Sequence, residues 1–77
     1  MKRIEIFTGP GCSYCDRAKM ALRERRLVFA ERDIGDETVL TEFRERLPRV
    51  KSIPQIFVDG EHIGGYEDLT HWLEQSA

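Results

Sequence analysis

The sequence lacks several features that would assign it to a particular class of protein. It has no apolar run near the roughly 18 residues of a membrane helix, and it has no repeats or low-complexity segments. Its 12 basic and 14 acidic residues leave a net charge of −2, so no overall charge attracts nucleic acid or anionic lipid. The first residues lack the apolar stretch of a secretory signal. These absences exclude membrane and secreted classes, and we expect a soluble, cytoplasmic, monomeric protein.

The chain has enough apolar material for one core. It contains 77 residues, of which 40% are hydrophobic and 34% are charged. That length is below the common size of a single domain, and the apolar fraction is too high for a disordered tail. The sequence therefore predicts one small domain that comprises residues 1–77.

Cysteine is scarce, since Cys12 and Cys15 are the only two. A disulfide between them would close so short a loop that it would stabilise the fold by only about 2 kcal/mol. A zinc site needs four ligands, and the remaining candidates, His62 and His71, are far from Cys15 in sequence, so we predict no metal site. A C-x-x-C pair beside a strand–helix pattern is typical of a dithiol redox motif, which is the interpretation we favour.

Hydrophobic periodicity predicts seven elements in the order β-α-β-α-β-β-α. A strand–helix–strand start favours a parallel pair, and Asp59-Gly60 is a strong signal for a hairpin turn and an antiparallel pair. The expected fold class is α/β, with one mixed four-stranded sheet and three helices over its faces. The predicted strands are residues 3–8, 27–33, 55–58 and 61–63. The predicted helices are residues 13–25, a second that starts at 35–37 and ends before Pro48, and a third after Gly64-Gly65. The predicted apolar face of the first helix consists of Tyr14, Ala18, Ala21 and Leu22.

Cys12 lies at the N-terminal edge of the first predicted helix, and Cys15 lies one turn inside it. The unpaired amides at a helix N-terminus carry partial positive charge, which favours a thiolate over a thiol. The thiolate is the species that attacks in thiol–disulfide exchange. We therefore expect Cys12 to be the nucleophile, and Cys15 to close a disulfide with it and expel the bound partner.

Three separated motifs occur along essentially the whole chain, namely Cys12-Ser13-Tyr14-Cys15, Ser52-Ile53-Pro54-Gln55-Ile56-Phe57 and Gly64-Gly65-Tyr66-Glu67-Asp68-Leu69. C-x-x-C alone would be a weak signal, because thioredoxins and metal sites share it. In their order and separations, however, the three motifs resemble short bacterial-type glutaredoxins, whose Thr-Val-Pro and Gly-Gly-x-x-Asp-Leu segments are similar to the second and third motifs. The resemblance implies a thioredoxin-type fold with glutathione as the working thiol.

The resemblance also implies a set of glutathione-binding residues around the catalytic Cys12 and Cys15. Pro54 would follow a cis peptide bond that places the Ile53 backbone beside an extended glutathione chain; without the resemblance, a trans proline opening a strand is favoured. The implied contacts are Tyr14, Lys51, Ile53, Pro54, Gly65, Tyr66, Glu67 and Asp68, with Gln55 and Arg49 as further candidates for the glycyl carboxylate.

At the start of the last helix, the resemblance implies that Gly64-Gly65 presents amides to the γ-glutamyl carboxylate and that Asp68 accepts from its ammonium group. Ordinary helix capping is an equally good interpretation for Glu67. His62, His71 and Trp72 are assigned to the hairpin surface and the core, without chemistry.

The implied activity is that of a glutathione-dependent thiol–disulfide oxidoreductase, which reduces protein disulfides and glutathione mixed disulfides through a Cys12 thiolate. Its partners would be glutathione, disulfide-bonded or glutathionylated proteins and, indirectly, glutathione reductase with NADPH. One alternative is a dimer that holds a [2Fe–2S] cluster through the first cysteine and glutathione, as some glutaredoxins do when the residue at the Ser13 position is not proline. Another alternative is a thioredoxin-like reductase that receives its electrons from a flavoprotein instead of glutathione. The segment 64–68, which resembles the glutathione-binding segment of glutaredoxins, argues against this alternative.

Two more departures from the family pattern bear on the site. Gly9 stands where the family often carries a lysine, so one carboxylate contact is absent or supplied from elsewhere. Pro10-Gly11 before Cys12 is also less usual, and we expect it to alter access to the thiol.

Overall fold

The computed structural model describes residues 2–75 and shows the predicted order of seven elements. Met1, Ser76 and Ala77, which belong to the predicted domain, lie outside the described residues. Among the described helices, none is long and apolar enough to cross a membrane. The strands are β1 (Ile4–Thr8), β2 (Phe29–Asp33), β3 (Gln55–Val58) and β4 (Glu61–Gly64), and the helices are α1 (Ser13–Glu24), α2 (Glu37–Arg46) and α3 (Tyr66–Gln75).

The four strands form one mixed sheet, as predicted, and their order in it is β2-β1-β3-β4. β1 and β2 are parallel, with Ile4 opposite Phe29, because α1 carries the chain back along the sheet between them. β1 and β3 are antiparallel, with Ile4 opposite Val58. β3 and β4 are joined by Asp59-Gly60, whose φ angles of 52° and 81° are those of the tight hairpin turn that the sequence predicts.

The two faces of the sheet have different cores. Helices α1 and α3 cover an aliphatic cluster, whereas α2 covers an aromatic one in which Phe7 and Phe43 meet edge to face, with ring centroids 5.3 Å apart. Alternate side chains of β1 enter opposite clusters, so Ile6 joins the first and Phe7 the second. The aliphatic cluster contains Ile4, Ile6, Ala18, Leu22, Ile56, Val58, Leu69 and Leu73, and the aromatic cluster contains Phe7, Phe43, Leu47 and Phe57.

Several element bounds and one buried face differ from the sequence prediction. β1 begins at Ile4 rather than at Arg3, and β4 extends to Gly64 rather than ending at Ile63. β2 begins at Phe29 rather than at residue 27, which leaves Val28 outside the strand and 78% exposed. α1 ends at Glu24, because the next turn is broken by Arg26 at a positive φ. Tyr14 does not share the buried face of α1, since its side chain is 53% exposed and lies beside a second tyrosine instead.

The antiparallel pairing brings three loops to one edge of the sheet. β1 ends where β3 begins, because Phe7 lies opposite Gln55, so the loop after β1 meets the segment before β3. β4 ends beside the same point, since Gly64 pairs with Ile56. The chain around Cys12, the segment 51–54 and the start of α3 therefore converge, although they are far apart in sequence.

Candidate active site

Cys12 immediately precedes α1 and caps its first turn. Its backbone is extended, with φ −104° and ψ 105°, and its Sγ accepts a hydrogen bond from the N–H of Cys15 at 3.2 Å. An N–H directed at sulfur from the first turn of a helix stabilises a thiolate more than a thiol. The side chain is partly exposed. Cys12 therefore combines an N–H donor at its sulfur with the access that a nucleophile needs.

Cys15, one turn further on, is in the opposite environment. Its side chain is 1% exposed, and burial, followed by the hydrogen bond to Cys12, raises the pKa of Cys15 to about 12. A hydrogen bond with the Gly9 backbone and the positive charge of Lys19 lower the pKa of Cys15, but they are smaller effects than burial. Cys15 is therefore a thiol at neutral pH.

The peptide bond between Ile53 and Pro54 is cis, as the resemblance implied. The carbonyl oxygen of Ile53 lies 3.7 Å from the Cys12 Sγ, so this segment faces the reactive sulfur directly. The Ile53 side chain also fills the space beside Gly9, where an added Cβ would lie 2.6 Å from the Ile53 Cδ1. A side chain at residue 9 would therefore require the end of the Ile53 side chain to shift, which a flexible side chain can do at little cost.

A groove runs from Ile53 to the start of α3. It consists of two adjoining cavities of about 590 and 200 Å³, which share lining residues that include Ser52, Gly65 and Glu67. Tyr14 and Tyr66 lie at one side with ring centroids 5.7 Å apart. All eight residues that the resemblance implies as glutathione contacts line this groove, namely Tyr14, Lys51, Ile53, Pro54, Gly65, Tyr66, Glu67 and Asp68.

Asp68 has a structural contact of its own at the groove. Its Oδ2 accepts a hydrogen bond from the Gly65 N–H at 3.1 Å, which is the reciprocal half of a helix capping box. Gly64 has a φ of 122°, and a Cβ there would collide with the Asp68 carboxylate. The capping interpretation that the sequence left open for Glu67 thus applies to Asp68, and it holds the carboxylate at the groove.

Comparison with known proteins agrees with this geometry. Residues 4–63 match the family described as Glutaredoxin. The chain belongs to the glutaredoxin family. Over 70 residues, 90% of this chain and 83% of the relative, it is 41% identical to glutaredoxin 3 of Escherichia coli. The structure of glutaredoxin 1 from Francisella tularensis, complexed with cacodylate, is similar with a TM-score of 0.83 and 30% identity, and the match covers 99% of this chain and 96% of that one.

A longer relative is similar to this chain over part of its length. The chain is 41% identical over 70 residues to the hybrid peroxiredoxin hyPrx5 of Haemophilus influenzae, which is 91% of this chain but only 29% of that protein. Membership of the glutaredoxin family makes the chain a thiol–disulfide oxidoreductase with a thioredoxin-type fold.

The structure shows one part of this glutaredoxin site that sequence reasoning missed. Gln55, a candidate for the glycyl carboxylate, uses its amide within the protein: its Nε2 donates to the Ser52 carbonyl at 3.1 Å, and its Oε1 lies 2.7 Å from His62 Nε2. His62 was assigned no chemistry, yet it lines the groove. The hairpin register could have indicated this contact, because His62 pairs with Phe57 and is therefore a diagonal neighbour of Gln55.

The residues present also bear on the [2Fe–2S] alternative. Such a cluster takes four ligands, usually thiolates, and Cys12 is the one accessible cysteine of the chain, because Cys15 is buried. Within residues 2–75, no group of three or more histidine, cysteine or acidic side chains could hold a metal ion. Three of the four ligands would therefore come from outside the chain. Nothing in this arrangement favours the cluster over thiol exchange, and the alternative stays a prediction.

Proposed function

We propose that this chain is a glutathione-dependent oxidoreductase that reduces glutathione mixed disulfides and protein disulfides. The observation that carries the proposal is the placement of the Cys12 Sγ, 3.7 Å from the Ile53 carbonyl, at the end of a groove lined by residues 51–55 and 64–68. A thiolate there can attack a sulfur that the groove presents to it. The extended backbone of a tripeptide would lie along Ile53.

The charges of the groove suit glutathione, which carries two carboxylates and one ammonium group. Lys51 and Arg49 supply cations for the glycyl carboxylate, and the first amides of α3, next to Gly65, suit the γ-glutamyl carboxylate. Glu67 and Asp68 provide anions for the ammonium group. The Gln55 amide already makes hydrogen bonds with Ser52 and His62. We therefore assign binding of the glycyl carboxylate to Lys51 rather than to Gln55.

The reaction on a glutathione mixed disulfide takes two exchanges. The Cys12 thiolate attacks the glutathione sulfur, the substrate thiolate leaves and takes up a proton, and Cys12 becomes disulfide-bonded to glutathione. A second glutathione thiolate attacks the glutathione sulfur of that bond, which releases the Cys12 thiolate and oxidised glutathione. Glutathione reductase would return the oxidised glutathione to its thiol form with electrons from NADPH.

A protein disulfide follows a second route that uses Cys15. Cys12 first forms a mixed disulfide with the substrate, and Cys15 then attacks the Cys12 sulfur and expels the substrate thiolate. Part of the raised pKa of Cys15 comes from the hydrogen bond and the charge of Cys12. Both contributions are lost once the Cys12 sulfur is bound in a disulfide, so formation of the mixed disulfide makes Cys15 easier to deprotonate.

The test is an exchange assay with one peptide presented as a mixed disulfide either with glutathione or with cysteine. We expect Cys12→Ser to have no activity, and Cys15→Ser to keep deglutathionylation but to lose reduction of a peptide disulfide. We also expect the wild type to reduce the glutathione adduct much faster than the cysteine adduct, because only the former fills the groove.

Two results would contradict the proposal in different ways. Deglutathionylation by Cys12→Ser at the rate of the wild type would show that Cys12 is not the nucleophile. Equal rates on the two adducts would leave a thiol–disulfide oxidoreductase with no preference for glutathione.

A further inference from the structure

His62 is held on two sides although it lies on the edge strand β4. Its Nε2 is 2.7 Å from the Gln55 Oε1, and its ring packs against Phe57 with centroids 5.1 Å apart and planes tilted by 36°. His62 is solvent-exposed, and these two contacts orient its ring at the groove wall, in a cavity that Lys51 and Asp68 also line.

The orientation of the Gln55 amide determines which atom donates in this contact. The Gln55 Nε2 lies 3.1 Å from the Ser52 carbonyl oxygen and 3.2 Å from the Ser52 Oγ. A backbone carbonyl only accepts, so this end of the amide must be the NH₂ group. The Oε1 then faces His62, whose Nε2–H donates. Gln55 is only 6% exposed, so an amide oxygen without this donor would be left unpaired at considerable cost.

These contacts form a chain from β4 through β3 to the segment beside the reactive sulfur. His62 donates to Gln55, and Gln55 donates to Ser52, which directly precedes the residue whose carbonyl lies 3.7 Å from the Cys12 Sγ. Ser52 itself belongs to no helix or strand. The contacts from the Gln55 amide are thus side-chain restraints on a short irregular segment.

We propose that His62 is a positioning residue, which orients the Gln55 amide and through it holds Ser52–Ile53 against Cys12, so that the groove is preformed for the glutathionyl group. This inference rests on the proposed function and adds a residue to it that does not touch the reacting atoms. A groove that is preformed binds more tightly, because less ordering has to occur on binding.

The test replaces His62 by phenylalanine, which keeps a ring against Phe57 and removes only the N–H donor. The matched control is His71→Phe, an exposed histidine on α3 that does not line the groove. We expect His62→Phe to raise KM for a glutathionylated peptide by roughly threefold to tenfold, the range of one hydrogen bond, with kcat unchanged at saturation. We expect the His71→Phe protein to match the wild type.

A second substitution tests whether His62 acts through Gln55. In the background of Gln55→Met, which has no amide, His62→Phe should raise KM no further, because the donor has lost its acceptor. A third variant, His62→Gln, offers an amide donor to the same oxygen and should recover part of the affinity.

Backbone 15N relaxation in the protein without glutathione gives a separate readout. We expect lower order parameters at Ser52 and Ile53 in His62→Phe than in His71→Phe, because the segment is less restrained on the ps–ns timescale. Unchanged KM and unchanged order parameters in His62→Phe would overturn the inference and leave the activity of the wild type intact. If the wild type itself shows no preference for glutathione, the proposed function fails, and the order parameters of Ser52 and Ile53 alone then decide whether His62 positions this segment.

Discussion

Cys12 and Cys15 are the same residue type, one helical turn apart, in opposite environments. The sulfur of Cys12 is partly exposed, accepts an N–H from the helix start and faces the Ile53 carbonyl at 3.7 Å. The sulfur of Cys15 is 1% exposed, and burial raises its pKa to about 12. The comparison shows that the surroundings, and not the residue type, make the two sulfurs different in exposure and in hydrogen bonding.

The difference follows from where each residue stands relative to α1. Cys12 is the N-cap, outside the helix, so its side chain folds back over the first turn. Cys15 is on the face that packs against the sheet, together with Ala18 and Leu22 at helical spacing. If the second cysteine were one residue earlier or later in the sequence, its sulfur would lie outside the buried face of α1.

The largest expected difference between the two cysteines is in their rate of alkylation. A pKa near 12 instead of the ordinary 9.0 lowers the thiolate fraction of Cys15 about a thousandfold at neutral pH. We therefore expect iodoacetamide to modify Cys12 alone, as read by mass spectrometry of the digested protein. The same measurement in denaturant is the control, in which both cysteines should react at similar rates. Comparable modification of both cysteines in the folded protein would show that they do not differ in exposure and thiolate fraction as we expect.

Serine substitutions should separate the two positions in stability. A hydroxyl in place of the buried Cys15 sulfur is expected to lower the free energy of unfolding by about 1–2 kcal/mol. Cys12→Ser should change it by less than about 0.5 kcal/mol, because serine is a favoured N-cap. Urea unfolding of the two variants beside the wild type measures both values, and equal losses would mean that the sites do not differ in burial.

A third expected difference is a dependence of stability on alkaline pH. The folded chain keeps the Cys15 proton up to a pH of about 12, whereas the unfolded chain loses it near 9.0, so stability falls as the pH rises above 9.0. The loss approaches about 1.4 kcal/mol per pH unit for one such group. Cys15→Ala lacks the group and is the control for other titrations. Parallel curves for the two proteins above pH 9 would contradict the raised pKa.

Much of the fold could be predicted because it depends on local patterns. The turn at Asp59-Gly60, the order of the elements and the position of Cys12 at the start of a helix are all confirmed. The cis bond before Pro54 came from the resemblance, since composition alone favours trans. The prediction that Tyr14 belongs to the apolar face of α1 was wrong. Helical spacing alone does not distinguish a tyrosine that packs into the core from one that packs against another tyrosine at the surface.

The contact between Gln55 and His62 could not be predicted from the sequence motifs. It depends on the register of the β3–β4 hairpin and on the orientation of the Gln55 amide. Lys51 and Asp68 could be named as binding candidates, but only the structure places them in the same groove.

The seven elements and the place of the C-x-x-C pair at a helix start follow from local sequence, because turns, caps and periodicity act between near neighbours in the chain. Which sulfur is accessible, and what surrounds it, depends on how the elements pack together. The antiparallel pairing of β1 with β3 sets Phe7 opposite Gln55 and so brings residues 51–54 to Cys12. That proximity spans about forty residues of sequence, and it is produced by burial on both faces of the sheet rather than by any local preference of the chain.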